Sequence, residues 1–331
     1  MLLKPYLSKI HFLSGRTPVI EKRRDFRKFI PAPYKTVLLL SADLELAWAS
    51  RYDKRVLSPL EYALTLARRE RQNIHKILAV TEGFQIPITW AIVGHLFLHS
   101  CREVNGKKHI DIPTVPHYDG PFWDFHGDDW FEYDPCSDYQ TQPEWYAPDL
   151  IRLIMDAPVD HEIGCHTFSH IDCREEACPP QLMKAELAAC KKLAAEWGLT
   201  LRSFVHPGHT IGHLDLLKEE GFTSFRTDDR NVLGYPRRYA SGLWQLEQTT
   251  EFCFREAWSV RYHVFRYTEI IKRAMASNTV CVCWFHPSFD PRVIDKVWPA
   301  VFQFLDENRD HIWITTHSEY IDFLNRNLDE S

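Results

Sequence analysis

Two histidines stand four residues apart in His166-Thr167-Phe168-Ser169-His170, directly after a short apolar run. At that spacing one helical turn, or a tight loop, can aim both imidazoles at one point. Neutral imidazole is the commonest protein ligand for zinc and similar metals. A pair does not complete a site, and an acidic residue at a strand end is the usual third ligand. The chain offers such residues where the apolar run 36–42 ends in Asp43-Leu44-Glu45. Carboxylates just past a buried strand are costly unless they face a cleft or coordinate something. Two further histidines end apolar runs, His206 in Ser203-Phe204-Val205-His206-Pro207-Gly208 and His286 after residues 279–285. Each has a plainer reading. The chain has 17 histidines, so a chance pair is one of them; His206 as a hydrogen-bonded turn residue and Asp43 as a cap on the following loop are others. It is the repetition at successive strand ends that argues for a site.

The elements that must position these residues follow from patterning. Residues 36–42, 87–93, 203–205, 223–226, 279–285 and 312–315 read as short apolar strands, and the histidine stretch 161–170 as a further strand and turn. Between them lie helical stretches. The first starts with Ser58 as cap, Pro59 at the first helical position and Glu61 closing a capping box. Residues 148–157, 179–197 (ended by Gly198), 214–220 (stopped by Gly221), 267–277 and 293–307 follow, the last with a kink at Pro299. A final helix opens at Thr316, with Glu319 completing a second capping box. Strands apolar on both faces, alternating with helices, predict an α/β fold: a parallel sheet covered by helices, open or closed into a barrel. In a parallel barrel, catalytic groups converge at the C-terminal ends of the strands. There is no Gly-rich phosphate loop and no internal repeat.

Bulk properties bound the rest. The 331 residues suffice for one large domain or two ordinary ones, and the net charge of −6 argues against nucleic acid as the main partner. The cysteine count of nine is odd. Cys190 falls in a helix and Cys281 and Cys283 in a strand, and no pair has a zinc-finger spacing, which suits free thiols in a reducing compartment. With no secretory h-region and no apolar run of membrane-span length, the expectation is a cytoplasmic protein without a membrane span. Residues 1–35 form an irregular basic arm, with Lys22, Arg23, Arg24, Arg27 and Lys28 close together and Pro31 and Pro33 at its end. It reads as a solvated arm packed on the domain, or as an interaction tail for an acidic surface.

From about residue 36 to 320 the chain resembles the polysaccharide deacetylases of the NodB-homology type, carbohydrate esterase family 4. Ser41-Ala42-Asp43-Leu44-Glu45 stands where the family has a strand ending in an acidic pair. His166-Thr167-Phe168-Ser169-His170 meets the family's His-Ser/Thr-x-x-His in full. Val205-His206-Pro207-Gly208 is similar to its third motif, and residues 280–286 match its hydrophobic strand ending in His. The resemblance implies a distorted (β/α)7 barrel over residues 36–331. It implies hydrolysis of an acetamide on an N-acetylated sugar, with one divalent metal ion, zinc or another transition metal. It further implies Glu45, His166 and His170 as ligands, Asp43 as base and His286 as acid; Asp43 and Glu45 in exchanged roles is the alternative. His206, Pro207 and Gly208 would line the oxyanion and substrate side. The family's third motif carries an Arg two residues before Pro that orients the base. Val205 stands there instead, so Arg202, Arg226 or Arg230 has to substitute.

The chemistry asks for these residue types. An amide is a poor electrophile with a poor leaving group, and a divalent metal polarises the carbonyl and acidifies bound water. A carboxylate takes the water's proton, a protonated imidazole protonates the departing amine, and backbone N–H groups after Pro207 help hold the oxyanion. Related substrates of this chemistry are formamido sugars, cyclic imides and ureides. Two His and a carboxylate also describe non-haem iron oxygenases, which usually sit on β sandwiches, and a non-catalytic sugar-binding barrel is a third reading. The stretch 104–147 is long for a barrel loop and dense in aromatic and acidic residues. It is expected over the mouth, as a shielding flap or as a lid whose Trp123 and Trp130 stack on sugar rings.

Overall fold

The computed structural model describes residues 17–227 and 231–329. Ten strands form the main sheet: β1 (Thr36–Leu44), β2 (Thr89–Ile92), β3 (Glu162–Cys165), β4 (Ser203–Val205), β5 (Ser224–Arg226), β6 (Arg237–Arg238), β7 (Trp244–Leu246), β8 (Thr250–Glu251), β9 (Val280–Phe285) and β10 (Ile312–Thr315). Their order is β6-β7-β5-β4-β3-β2-β1-β9-β8, and β10 pairs with the first half of β1. Every pairing is parallel except β6 with β7. The helices are α1 (Pro59–Gly83), α2 (Pro148–Met155), α3 (Pro180–Glu196), α4 (Leu214–Glu219), α5 (Val260–Ser277), α6 (Trp298–Asp306) and α7 (His317–Asp329).

Alternation along the strands explains both the core and the site. Side chains two apart share a face. On β1, Leu38, Leu40, Ala42 and Leu44 join the larger apolar core with Ala63, Ala67, Ile74 and Ile77 of α1. Val37 and Leu39 point the other way, into a smaller cluster with Val280 and Val282 of β9, Trp244 and Leu246 of β7, and Tyr320, Ile321 and Leu324 of α7. The same inner face continues as Ser41 and Asp43 on β1, and as Trp284 on β9. It changes from apolar to polar towards the C-terminal ends of the strands.

The sheet is a curled half-barrel of mostly parallel strands, consistent with the distorted (β/α)7 barrel expected, although it does not close. Its edge strands β6 and β8 are two residues long, too short to ladder onto one another, and β6 is antiparallel and exposed. α7, with Phe29 and Ile30 from the segment before β1, covers the inner face at the N-terminal ends instead.

Several boundaries also differ. Ser58 precedes α1 but its hydroxyl makes no capping bond. α5 begins seven residues before the expected 267, because Ser259 accepts the Tyr262 N–H at 3.2 Å and caps it. Pro299 sits in the first turn of α6, where it is tolerated, and the irregularity lies before it in the π-helical turn Val293–Val297. Thr316 does accept the Glu319 N–H, at 3.4 Å. No helix among the described residues is long and apolar enough to cross a membrane, and all nine cysteines are free thiols.

Candidate metal centre and its mouth

Two buried glutamates from the flanking helices shape the loops that carry the ligands. Glu70 of α1 accepts the backbone N–H groups of Glu45 at 3.1 Å and Leu46 at 2.9 Å, holding the turn in which Leu46 takes a φ of 48°. Glu186 of α3 accepts the N–H groups of Phe168 at 2.8 Å and Ser169 at 2.9 Å and the Ser169 hydroxyl at 2.7 Å. That loop has positive φ at Thr167 (58°) and His170 (59°), a conformation that needs outside support in residues other than glycine. Burial raises the pKa of both carboxyls, Glu70 to about 8 with the Glu45 charge adding to the effect. Neither residue is among the sequence expectations. The available signal was a carboxylate on an otherwise apolar stripe: Glu70 falls between Ala67 and Ile74, and Glu186 between Met183 and Cys190, all buried.

Held this way, Glu45, His166 and His170 converge. Glu45 Oε1 lies 3.0 Å from His166 Nε2 and 3.1 Å from His170 Nε2. His166 Nδ1 lies 2.8 Å from the Val205 carbonyl, which can only accept, so Nδ1 carries the proton. In the neutral ring Nε2 is then a lone pair facing a carboxylate oxygen, an arrangement that needs a cation at the shared point. One carboxylate and two such imidazoles are a zinc-type donor set that leaves a fourth position open, so these residues fit a divalent metal. Asp43, Glu45 and His286 form an overlapping trio, but Asp43 is already engaged elsewhere.

Its partner is Arg226, at the end of β5. The guanidinium donates to Asp43 Oδ1 at 2.8 Å and Oδ2 at 2.5 Å, and to Ser41 Oγ at 2.7 Å, and its carbon lies 4.9 Å from the centre of the Trp284 ring. Burial opposes ionisation of Asp43, but Arg226, His166 and His286 together outweigh burial and hold the carboxyl below the usual range. Of the other two candidates for this place, Arg202 pairs with Asp322 at 2.9 Å, and Arg230 lies outside the described residues. His286 Nε2 is 3.6 Å from Glu45 Oε1 and 4.0 Å from Asp43 Oδ2. Burial disfavours its cation, but the carboxylates of Glu45, Asp43 and Glu251 prevail and push it up to about 9.

These groups open into a cavity of about 310 Å³, walled by Phe122, Trp123, Trp284 and Phe289 and floored by Asp43, Glu45, His170 and His286. Glu251 also faces it, a carboxylate the sequence reading did not single out. His206 and Gly208 line it too. His206 Nε2 meets the Gly212 carbonyl at 3.0 Å, and burial pushes this imidazole down to about 3. Pro207 starts the turn but does not face the cavity. Gly208 has a φ of 53°, and a Cβ there would collide with the Trp123 ring, so glycine is required on two counts.

The two tryptophans part company. Trp123 forms the cavity wall, its ring 5.2 Å from that of His170, and its indole donates to the Tyr118 hydroxyl. Trp130 lies away from the cavity. It is buried, donates to Ser169 Oγ at 2.9 Å and stacks on Tyr52, with the Arg51 guanidinium against both rings. Trp130 therefore braces the ligand loop from behind, away from this cavity; density of aromatics placed both residues in the insertion but could not say which way each faces.

No family model matches this sequence, and no curated protein does. Solved structures do. The fold is the NodB-like fold of the polysaccharide deacetylases and carbohydrate esterases of family 4. One similar structure, described as a polysaccharide deacetylase of Mycobacterium smegmatis, has a TM-score of 0.61 at 14% identity, over 94% of this chain and 96% of that one. A Pseudomonas aeruginosa protein, also described as a polysaccharide deacetylase, has a TM-score of 0.61 at 12% identity, over 90% and 94%. PuuE allantoinase gives 0.61 at 14% identity, over 90% and 93%.

Proposed function

We propose that this protein is a metal-dependent hydrolase of non-peptide C–N bonds that removes the acetyl group from an N-acetylated sugar. The observation that carries this reading is the three-donor set Glu45–His166–His170 beside a cavity that an Arg-clamped Asp43 and His286 also face. A divalent metal there, zinc in the first instance, would polarise the scissile carbonyl and acidify water. Asp43 takes the proton of the attacking water, and Arg226 keeps its carboxylate ionised and aimed. His286, whose cation the neighbouring Asp43 and Glu251 carboxylates also favour, gives a proton to the departing amine. In the turn after His206, the N–H groups of His209 and Thr210 donate to the carbonyls of His206 and Pro207. Gly208 is therefore the turn's candidate oxyanion donor. Trp123 and Trp284 offer faces for a sugar ring. Nine free thiols favour a reducing compartment, hence a cytoplasmic enzyme acting on a soluble or lipid-linked sugar precursor.

The equal likeness to an allantoinase supports a second reading, hydrolysis of a ureide or cyclic imide by the same groups. Metal-loaded protein should be assayed side by side on N-acetylated sugars and on ureides. Acetate release sustains the first reading, ureide turnover alone replaces it with the second, and neither activity contradicts both.

A further inference from the structure

A second cluster of ligand-type side chains lies where the insertion joins the sheet. His95 belongs to the turn Gly94–Phe97 directly after β2. Cys101, His109 and Asp134 come from the long segment between β2 and α2, and one ligand atom from each of the four lies within 4.8 Å of the others. Asp134 Oδ2 is the meeting point, 3.1 Å from His95 Nε2, 2.6 Å from His109 Nε2 and 3.4 Å from Cys101 Sγ. Its other oxygen is held from behind by the Cys136 N–H at 3.0 Å and the Tyr146 hydroxyl at 3.2 Å. The side chains of His95 and Asp134 are fully buried.

His95 repeats the arrangement of His166. Its Nδ1 lies 3.2 Å from the Trp145 carbonyl, so Nδ1 carries the proton and Nε2 turns a lone pair to the Asp134 carboxylate. A cation at the common point converts that opposition into coordination. Two imidazoles, a thiolate and a carboxylate suit zinc, whose structural sites take four protein ligands in a tetrahedron. Ligands about 2.0–2.3 Å from the ion stand roughly 3.3–3.7 Å apart, so the atoms around Asp134 Oδ2 need to part, and the remaining pairs, all within 4.8 Å, to close, by about 1 Å at most. Lys108 already docks the His109 loop on the Asp134 loop, donating to the carbonyls of Phe131, Glu132 and Asp134 at 3.0, 3.0 and 2.7 Å.

We propose that His95, Cys101, His109 and Asp134 hold one structural zinc ion that clamps the insertion onto the sheet. The site is separate from the mouth and does not depend on the function proposed above. The competing use of its sulfur is a Cys101–Cys136 disulfide, since the two Sγ atoms lie 3.4 Å apart.

Cobalt exchanged into the full-length protein tests this. A thiolate on Co(II) gives near-ultraviolet charge-transfer absorption, and no thiolate is in the mouth's donor set, so the band reports only the second site. The wild-type protein should give the band, and the His166→Ala/His170→Ala variant should keep it with about one bound ion. Chelation of that variant should lower its Tm. Cys101→Ser should lose the band while Cys136→Ser keeps it. Absence of the band in wild-type protein, its survival in Cys101→Ser, or Cys101 and Cys136 found oxidised together in the protein as purified would each overturn the proposal.

Discussion

At the mouth, Glu45 Oε1 meets two imidazoles at 3.0 and 3.1 Å; in the insertion, Asp134 Oδ2 meets two at 3.1 and 2.6 Å. In each place one imidazole, His166 or His95, donates its Nδ1–H to a main-chain carbonyl so that Nε2 faces the carboxylate. The surroundings then diverge. The mouth has three donors, a cavity of about 310 Å³ and two neighbouring groups, Asp43 and His286, outside the ligand set. The insertion cluster has a fourth donor in Cys101 and is backed by Tyr146. Donor type alone therefore does not mark an active site. On the proposed reading, an open fourth position and an adjacent acid and base do.

Asp43→Asn against Asp134→Asn tests that contrast hardest. An amide cannot accept the proton, so Asp43→Asn should lower kcat by about 10²- to 10⁴-fold with metal content intact. Asp134→Asn should reduce metal content and Tm while leaving turnover per folded molecule near the parent's. If Asp43→Asn loses the mouth metal and Glu45→Gln keeps it, the two acidic roles are exchanged.

Arg226→Lys keeps the charge but gives up the two-point grip on Asp43. We expect kcat to fall about 10- to 100-fold, as for a displaced catalytic group, with metal bound as before. Unchanged kinetics would mean that the clamp is only structural.

For the supports, Glu186→Ala strands two buried N–H groups, each costing about 1–3 kcal/mol. Urea unfolding should show the loss, and metal affinity at the mouth should weaken with it. Trp130→Ala should cost about 3–5 kcal/mol of stability with KM within roughly twofold of the parent on the folded protein. Trp123→Ala should do the reverse, raising KM with metal content intact. A KM effect at Trp130 and none at Trp123 would place the sugar on the other side of the insertion.

What could be read from the chain beforehand follows from how local each feature is. The strand ends announced themselves because Asp43, Glu45, His166, His170 and His286 each follow an apolar run within a few residues. Arg226 stood only as one of three candidates, because its pairing with Asp43 spans 183 residues and depends on the order of strands in the sheet. Glu70 and Glu186 were visible as charges on apolar helix faces, yet their purpose lies in loops that fold back onto them. Closure of the sheet stayed open in the sequence because strand alternation does not say whether edge strands are long enough to meet. The insertion cluster has no fixed spacing: its ligands at 95, 101, 109 and 134 are assembled only by an irregular fold.

The central claim is that the Glu45–His166–His170 set is a catalytic metal centre. Zinc titrated into metal-free protein, with acetate release from an N-acetylated sugar followed at each step, tests it most directly. Activity should rise and saturate as the mouth fills, and His166→Ala/His170→Ala should stay inactive at every zinc concentration while remaining folded. Parental activity in that variant, or in chelated wild-type protein, would contradict it.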